Sequence, residues 1–265
     1  MERNSGILLH PTSLPESSIC GSFGKPARKW LKELAASGIG VWQFLPLAPP
    51  DSFGSPYSSP SSFAFNPWFL DENDLVRDGF LAGNINYLSS EKVDFANRVD
   101  SELANSRVKL LRCSLVNYWD NQNKNIKDEF EIWCSKQFWL EDHSIFMELK
   151  IQNRNLPWWE WPHKYAFRDK RELANWKKNN KKKLLGHNLL QWHLFRQWDS
   201  IRKLAKNLGI FLFGDLPFYV SKDSADVWSN RSLFSILTNS NTYLQSGVPP
   251  DYFSDTGQLW GNPVY

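Results

Sequence analysis

Three side chains in this sequence stand where a polar ligand would be held. Asp215 directly follows the apolar run 210–213 in "IFLFGDLPFYV". A carboxylate at the end of a strand reads either as part of a site or as a buried hydrogen-bond anchor. Tyr57 lies in "GSPYSSP", within a long Ser/Pro loop that also holds Asn66 in "FNP". It reads as loop packing or as a ligand contact, and its place in that loop favours the ligand. Trp260 is flanked by glycines in "GQLWGNP". Its indole reads as an exposed stacking face for the C–H side of a sugar ring, or as core. Asp223 and Asp226 in "SKDSADVW" read as helix-start carboxylates. Asp251 and Asp255 fall in the closing stretch "GVPPDYFSDTGQLWGNPVY" and receive no catalytic role.

Other chemistries find little here. His10, His143, His163, His187 and His193 are scattered without zinc spacing, and His193 reads as structural within an amphipathic helix. There is no glycine-rich phosphate cradle and no G-x-S-x-G elbow. Cys20, Cys113 and Cys134 form no spacing motif, which suits a reducing compartment and a cytoplasmic location. The N-terminus has no signal-peptide core, and no apolar run approaches the roughly 20 residues of a membrane span. A net charge of +3 argues for neither a nucleic-acid nor a membrane partner. The basic run "WKKNNKKK", residues 176–183, reads as a solvated helix end or loop. The 14 tryptophans in 265 residues read mostly as core, with an excess that tilts the ligand class toward carbohydrate.

These residues need elements to position them. An apolar run at 7–9 is bounded by Gly6 and Pro11, and a second at 41–45 ends at Pro46. Between them, "GKPARKWLKELAASGIG" places Trp30, Leu31, Leu34 and Ala35 on one helical face, with Pro26 at its start and Gly38 at its stop. Strand, helix and strand within that span form a βαβ unit with parallel strands. Residues 68–187 read as a polar, helical, tryptophan-dotted insertion broken at "LPWWEWP". An amphipathic helix with Trp192, Phe195, Trp198 and Leu204 inward then leads through Gly209 into a third buried strand, 210–213. A β-hairpin is expected next, with arms at 233–237 and 243–245 and a turn at Asn239, Ser240 and Asn241. The expected division is 1–67, 68–187 and 188–265. The fold class is α/β with about three parallel strands, each ending in a Pro/Gly-rich loop.

Seven stretches resemble amylomaltase, a 4-α-glucanotransferase or disproportionating enzyme, and they follow that family's order. They are "GILLHPTSLP", "WQFLPLAPP", "GSPYSSPSSFAFNP", "PWWEWP", "FRQW", "GDLPFYVSKDSADVW" and "GVPPDYFSDTGQLWGNPVY". The resemblance implies a (β/α)₈ barrel with inserted helical subdomains. It implies transfer of α-1,4-glucan segments between maltooligosaccharides by a retaining double displacement, with no metal or organic cofactor. Tyr57 then matches a substrate-contacting tyrosine, and Asp215 an active-site aspartate that supports the site. Trp260 matches a tryptophan of a loop that overhangs the glucan.

The family's Asp nucleophile, Glu acid/base and third carboxylate come after the "GQLWGNPVY" stretch, and no motif of the form R-[IF]-D-H-F-R-G occurs here. The resemblance therefore implies the N-terminal half of an amylomaltase, with an incomplete barrel, poorly stable and inactive alone. A C-terminal half supplied in trans is the implied partner. A non-catalytic glucan-binding fragment, a glucan hydrolase of the same clan, and a subunit docking through an exposed sheet edge are the competing readings.

Overall fold

The computed structural model describes residues 3–15, 19–83, 99–237, 240–241 and 244–265. The chain divides into two compact units. The first is built from residues 1–47, 65–137 and 185–215, the second from 48–64, 138–184 and 216–265.

In the first unit, β1 (Gly6–Leu8), α1 (Lys25–Ala36) and β2 (Val41–Gln43) follow one another as the sequence anticipates. Pro26 sits in the first turn of α1, where no helical N–H is lost, and Gly38 takes φ +70° just past its end. Three more helices follow, α2 (Glu72–Arg77), α3 (Ser101–Trp119) and α4 (Lys124–Ser135). Two glutamines pin the chain where it enters them. The Gln191 side-chain amide exchanges a pair of 2.9 Å hydrogen bonds with the Phe65 backbone, and that of Gln197 does the same with Asp71.

The second unit contains α5 (Leu140–Gln152), α6 (His163–Ala166) and α7 (Lys170–Asn179), with a 3₁₀ turn at Trp158–Glu160 marking the expected break. The basic run ends α7 and opens α8 (Lys181–Asn207), with its lysines solvated. From Leu185 on, α8 belongs to the first unit and delivers the chain to β3 (Phe211–Phe213). The second unit then resumes with α9 (Ala225–Ser229), β4 (Gln245–Val248) and β5 (Gln258–Pro263). Among the described residues no helix is long and apolar enough to cross a membrane.

The three strands of the first unit form a parallel sheet in the order β1-β2-β3. Ile7, Trp42 and Leu212 are in register, as are Leu8, Gln43 and Phe213. Strand alternation therefore separates two faces. Trp42 is fully buried in a core shared with Leu31 and Leu34 of α1 and Leu194, Ile201 and Ala205 of α8. Its Nε1–H donates to the Leu9 carbonyl at 2.8 Å. The opposite face is bare, with Leu8 54%, Phe211 66% and Phe213 59% exposed. This corrects the expectation of buried strands at 7–9 and 210–213. Apolar runs mark a parallel strand whose two faces are both meant to be covered, but in this structure helices reach only one of them.

The expected hairpin lies only partly within the described residues, where Leu237 N donates to Asn241 O at 2.8 Å. Residues Arg231–Leu233 form a 3₁₀ turn rather than the start of a strand arm. Asn239 and Tyr243 of that hairpin lie outside the described residues. Among the described residues the antiparallel strand pair in this region is β4 with β5. Gly247 permits it, because a Cβ there would lie 2.4 Å from the Gln258 carbonyl oxygen.

The second unit is built around indoles. Trp158, Trp161 and Trp228 pack with Phe146 and Leu149, and each indole N–H has a fixed acceptor. Trp158 donates to Lys222 O at 2.7 Å, Trp161 to Leu156 O at 2.8 Å, and Trp228 to Tyr165 O at 3.0 Å. Buried aromatic bulk and a satisfied polar handle thus come from the same side chain.

Candidate functional site

The loop that carries Tyr57 is ordered by its own short side chains. Asp51 Oδ1 accepts from the N–H groups of Phe53 and Ser55, both at 2.9 Å, which closes an Asx-type turn with Gly54 at φ +86°. Ser55 Oγ accepts from Tyr57 N at 3.3 Å and caps a single 3₁₀ turn, Pro56–Ser58. Beyond it, Ser59 and Ser61 are buried, with Ser59 Oγ donating to Ser61 O at 2.7 Å. Tyr57 itself stays 42% exposed.

The loop is then fastened to α9, which is far away in sequence. Ala225 N donates to Pro60 O at 2.9 Å, and Ser62 N donates to Asp226 Oδ2 at 3.0 Å. Burial pushes the Asp226 carboxyl above its usual range, and the Ser62 N–H and hydroxyl work against that rise. Asp226 is a helix-start residue, as the sequence suggests, and Asp223 lies just before the cap. The α9 cap is Ser224, whose Oγ accepts from Val227 N at 3.2 Å. Asp226 lies in the first turn, but its carboxylate serves the Tyr57 loop. Asp223 forms an ion pair with Lys150 and accepts from Trp158 N at 3.2 Å.

Trp260 lies on β5 rather than in a loop. Its strand is held by Asn262 Nδ2 donating to Val220 O at 3.0 Å, Tyr265 Oη donating to Phe218 O at 3.0 Å, and Ser235 N donating to Val264 O at 2.7 Å. The Trp260 Nε1–H donates to Gln258 Oε1 at 3.1 Å, and the Tyr219 ring lies edge-on with centroids 6.3 Å apart. All 14 tryptophans fall within described residues. Thirteen are buried or half-buried, and only Trp260, at 49%, is exposed.

The structure therefore brings Tyr57 and Trp260 into one compact unit. Asp215 ends the last segment of the other unit, exposed, directly beyond β3 and Gly214. His193 is buried against Phe80 and Trp192, and burial holds its imidazole well below its usual pKa, with Arg196 adding to the shift. This is the structural role anticipated for it. The tie between Asp226 and the Tyr57 loop is what sequence reasoning missed. Nothing local marks a carboxylate that answers an N–H 164 positions earlier.

Residues 9–265 match a glycoside hydrolase 77 family model described as 4-alpha-glucanotransferase. The chain belongs to this family. A 4-alpha-glucanotransferase from Synechocystis is 40% identical over 268 residues, covering 100% of this chain and 52% of the relative. That of Thermus thermophilus is 36% identical with the same coverage. Among solved structures, amylomaltase from Streptococcus agalactiae in complex with acarbose superposes with a TM-score of 0.90 at 30% identity, over 100% of this chain and 53% of that one. Amylomaltase from Corynebacterium glutamicum gives 0.72 at 16% identity over 99% of this chain and 36% of that one, which shows the shared fold. The chain thus spans about half the length of the curated 4-alpha-glucanotransferases it matches. The resemblance read from the sequence motifs is borne out, as is an α/β architecture with three parallel strands.

Proposed function

We propose that this chain supplies the glucan-holding part of a 4-α-glucanotransferase, with Tyr57 and Trp260 as contacts to an α-1,4-glucan and Asp215 as a supporting carboxylate. The observation that carries this reading is Trp260. In a family chain with 14 tryptophans, one indole is left exposed, and it sits on a strand fastened at several points. A flat, fixed, solvent-facing ring is what stacking on a sugar ring requires.

In this proposal β1, β2 and β3 are the first three strands of a (β/α)₈ barrel, and the helical stretch 68–187 is an addition to it. The bare sheet face of Leu8, Phe211 and Phe213 supports this, because barrel strands bury an inward face. Those apolar side chains also favour a covering C-terminal half, which we propose as a partner that can be supplied in trans. The reaction is a retaining double displacement, in which two carboxyl groups about 5–5.5 Å apart act as nucleophile and acid/base. The 265 residues contain no R-[IF]-D-H-F-R-G motif, so we assign that pair to residues outside them. The proposed compartment is the cytoplasm, in keeping with three cysteines that form no disulfide.

Incubation of the 265-residue chain with maltotriose tests this. The expected result is neither glucose nor longer maltooligosaccharides, with both appearing once a C-terminal half from a relative is added. Glucose together with longer products from the chain alone would place an acid/base pair within these residues and defeat the proposal. Glucose and maltose without longer products would mean hydrolysis rather than transfer.

A further inference from the structure

Asp226 belongs to a short helix, yet its side chain serves a loop that precedes it by more than 160 positions. The carboxylate accepts from Ser62 N at 3.0 Å, and the neighbouring Ala225 N donates to Pro60 O at 2.9 Å. These two bonds run in opposite senses, one from loop to helix and one from helix to loop, and they bracket Ser61. Ser61 is fully buried, and its Oγ accepts from Ala64 N at 3.3 Å. At the Tyr57 end of the loop, Asp51 and Ser55 side chains accept from the backbone. The helix side is rigid in its own right. Ser224 caps it, Ser229 Oγ donates to Ala225 O at 2.7 Å, and Val227 and Trp228 are fully buried.

Asp226 is half-buried, no cation among the described residues pairs with it, and burial raises its pKa. A buried carboxylate without a counter-ion is costly when an amide or an apolar residue would fill the space. A hydrogen bond accepted by a charged group is stronger than a neutral one, and here that strength goes to a loop N–H.

We propose that Asp226 is a positioning residue for glucan recognition, acting through the loop to hold Tyr57 in its binding geometry. The proposal rests on Tyr57 being a glucan contact, and two measurements keep the failure of one idea apart from the failure of the other.

The first is amide hydrogen exchange across residues 51–64 in the wild-type chain, Asp226→Leu and Asp226→Asn. Leucine removes the acceptor, whereas asparagine keeps the shape of the side chain and an oxygen in place. Asp226→Leu is expected to speed exchange at Ser62 by about tenfold or more, the value of one charged hydrogen bond. Asp226→Asn is expected to stay within about threefold of wild type, since a neutral acceptor keeps part of that bond. Wild-type exchange in Asp226→Leu, or equal acceleration in both variants, overturns the clamp. If Asp226→Leu loses its near-UV circular dichroism, Asp226→Ala takes its place.

The second is a maltoheptaose titration of a double-mutant cycle between Asp226→Leu and Tyr57→Ala. Asp226→Leu is expected to weaken binding about fivefold alone and not at all in the Tyr57→Ala background, since coupled residues are non-additive. Equal losses in both backgrounds would show a general structural effect and overturn the positioning role. Tight binding by Tyr57→Ala, or no binding by wild type, would defeat the Tyr57 reading and with it the link to glucan, while exchange still decides the clamp.

Discussion

The two compact units hold themselves together differently. The first relies mainly on apolar area, with Trp42, Leu31, Leu34, Leu194 and Ile201 in one core under one face of a parallel sheet, and on a few polar pins such as Gln191 and Gln197. The second relies on side chains with two jobs, where indoles fill the core and also donate to named carbonyls, and where Asp51, Ser55, Ser59 and Asp226 hold a loop through its backbone. Periodic burial builds a frame. Directed polar bonds fix one conformation of a surface, and a ligand contact needs that. Tyr57 and Trp260 both belong to the second unit.

The comparison breaks most readily at Trp42. Trp42→Ala removes a fully buried indole and its bond to Leu9, and is expected to cost about 3–5 kcal/mol in urea denaturation. A loss below about 1 kcal/mol would mean that apolar packing does not hold the first unit.

Acid is expected to act on the first unit through His10, which is half-buried, and His193, which is buried. Burial lowers the His10 pKa from 6.5 to about 4, and His193 shifts the same way. An unfolded chain takes up those protons first, so stability falls as pH drops from about 6.5 toward 4. His10→Gln should flatten that fall in thermal melts. For Asp226 in the second unit the sign reverses. Its raised pKa means that stability is lost as pH rises through the folded value, and Asp226→Asn should remove that contribution. Equal pH slopes in the variants and wild type would remove this contrast between the units.

Gly247→Ala tests the packing of β4 on β5. The added methyl meets the Gln258 carbonyl, so a cost of about 1–3 kcal/mol is expected, together with a change in Trp260 fluorescence. The smallest effect is expected on the bare face of the first unit's sheet. Phe213→Ser should change the stability of this chain by no more than about 0.5 kcal/mol, in sharp contrast to Trp42 one strand away. A large loss would show that this face is covered in solution.

Much of the first unit was legible in the sequence because its signals are local. Proline and glycine bound the strands, and Leu31 and Leu34 repeat at helical spacing. What could not be read was the coverage of each sheet face, since the apolar run ending in Phe213 looks the same whether or not something packs on it. The second unit was harder. The apolar run at 233–237 suggested a strand, but the pairing strand is the polar Gln245–Val248, made possible by close approach at Gly247. Of the site, the motifs singled out Tyr57, Asp215 and Trp260. They did not show that thirteen other indoles turn inward, nor that Asp226 answers Ser62.

The central claim is that Tyr57 and Trp260 present a glucan-binding surface. Calorimetric titration of maltoheptaose into the wild-type chain, Tyr57→Ala and Trp260→Ala tests it most directly. The account predicts measurable binding by wild type and a loss of at least about fivefold in each variant, the scale of roughly 1 kcal/mol per stacked ring. Unchanged affinity in both variants, or no binding by the wild-type chain, would contradict it.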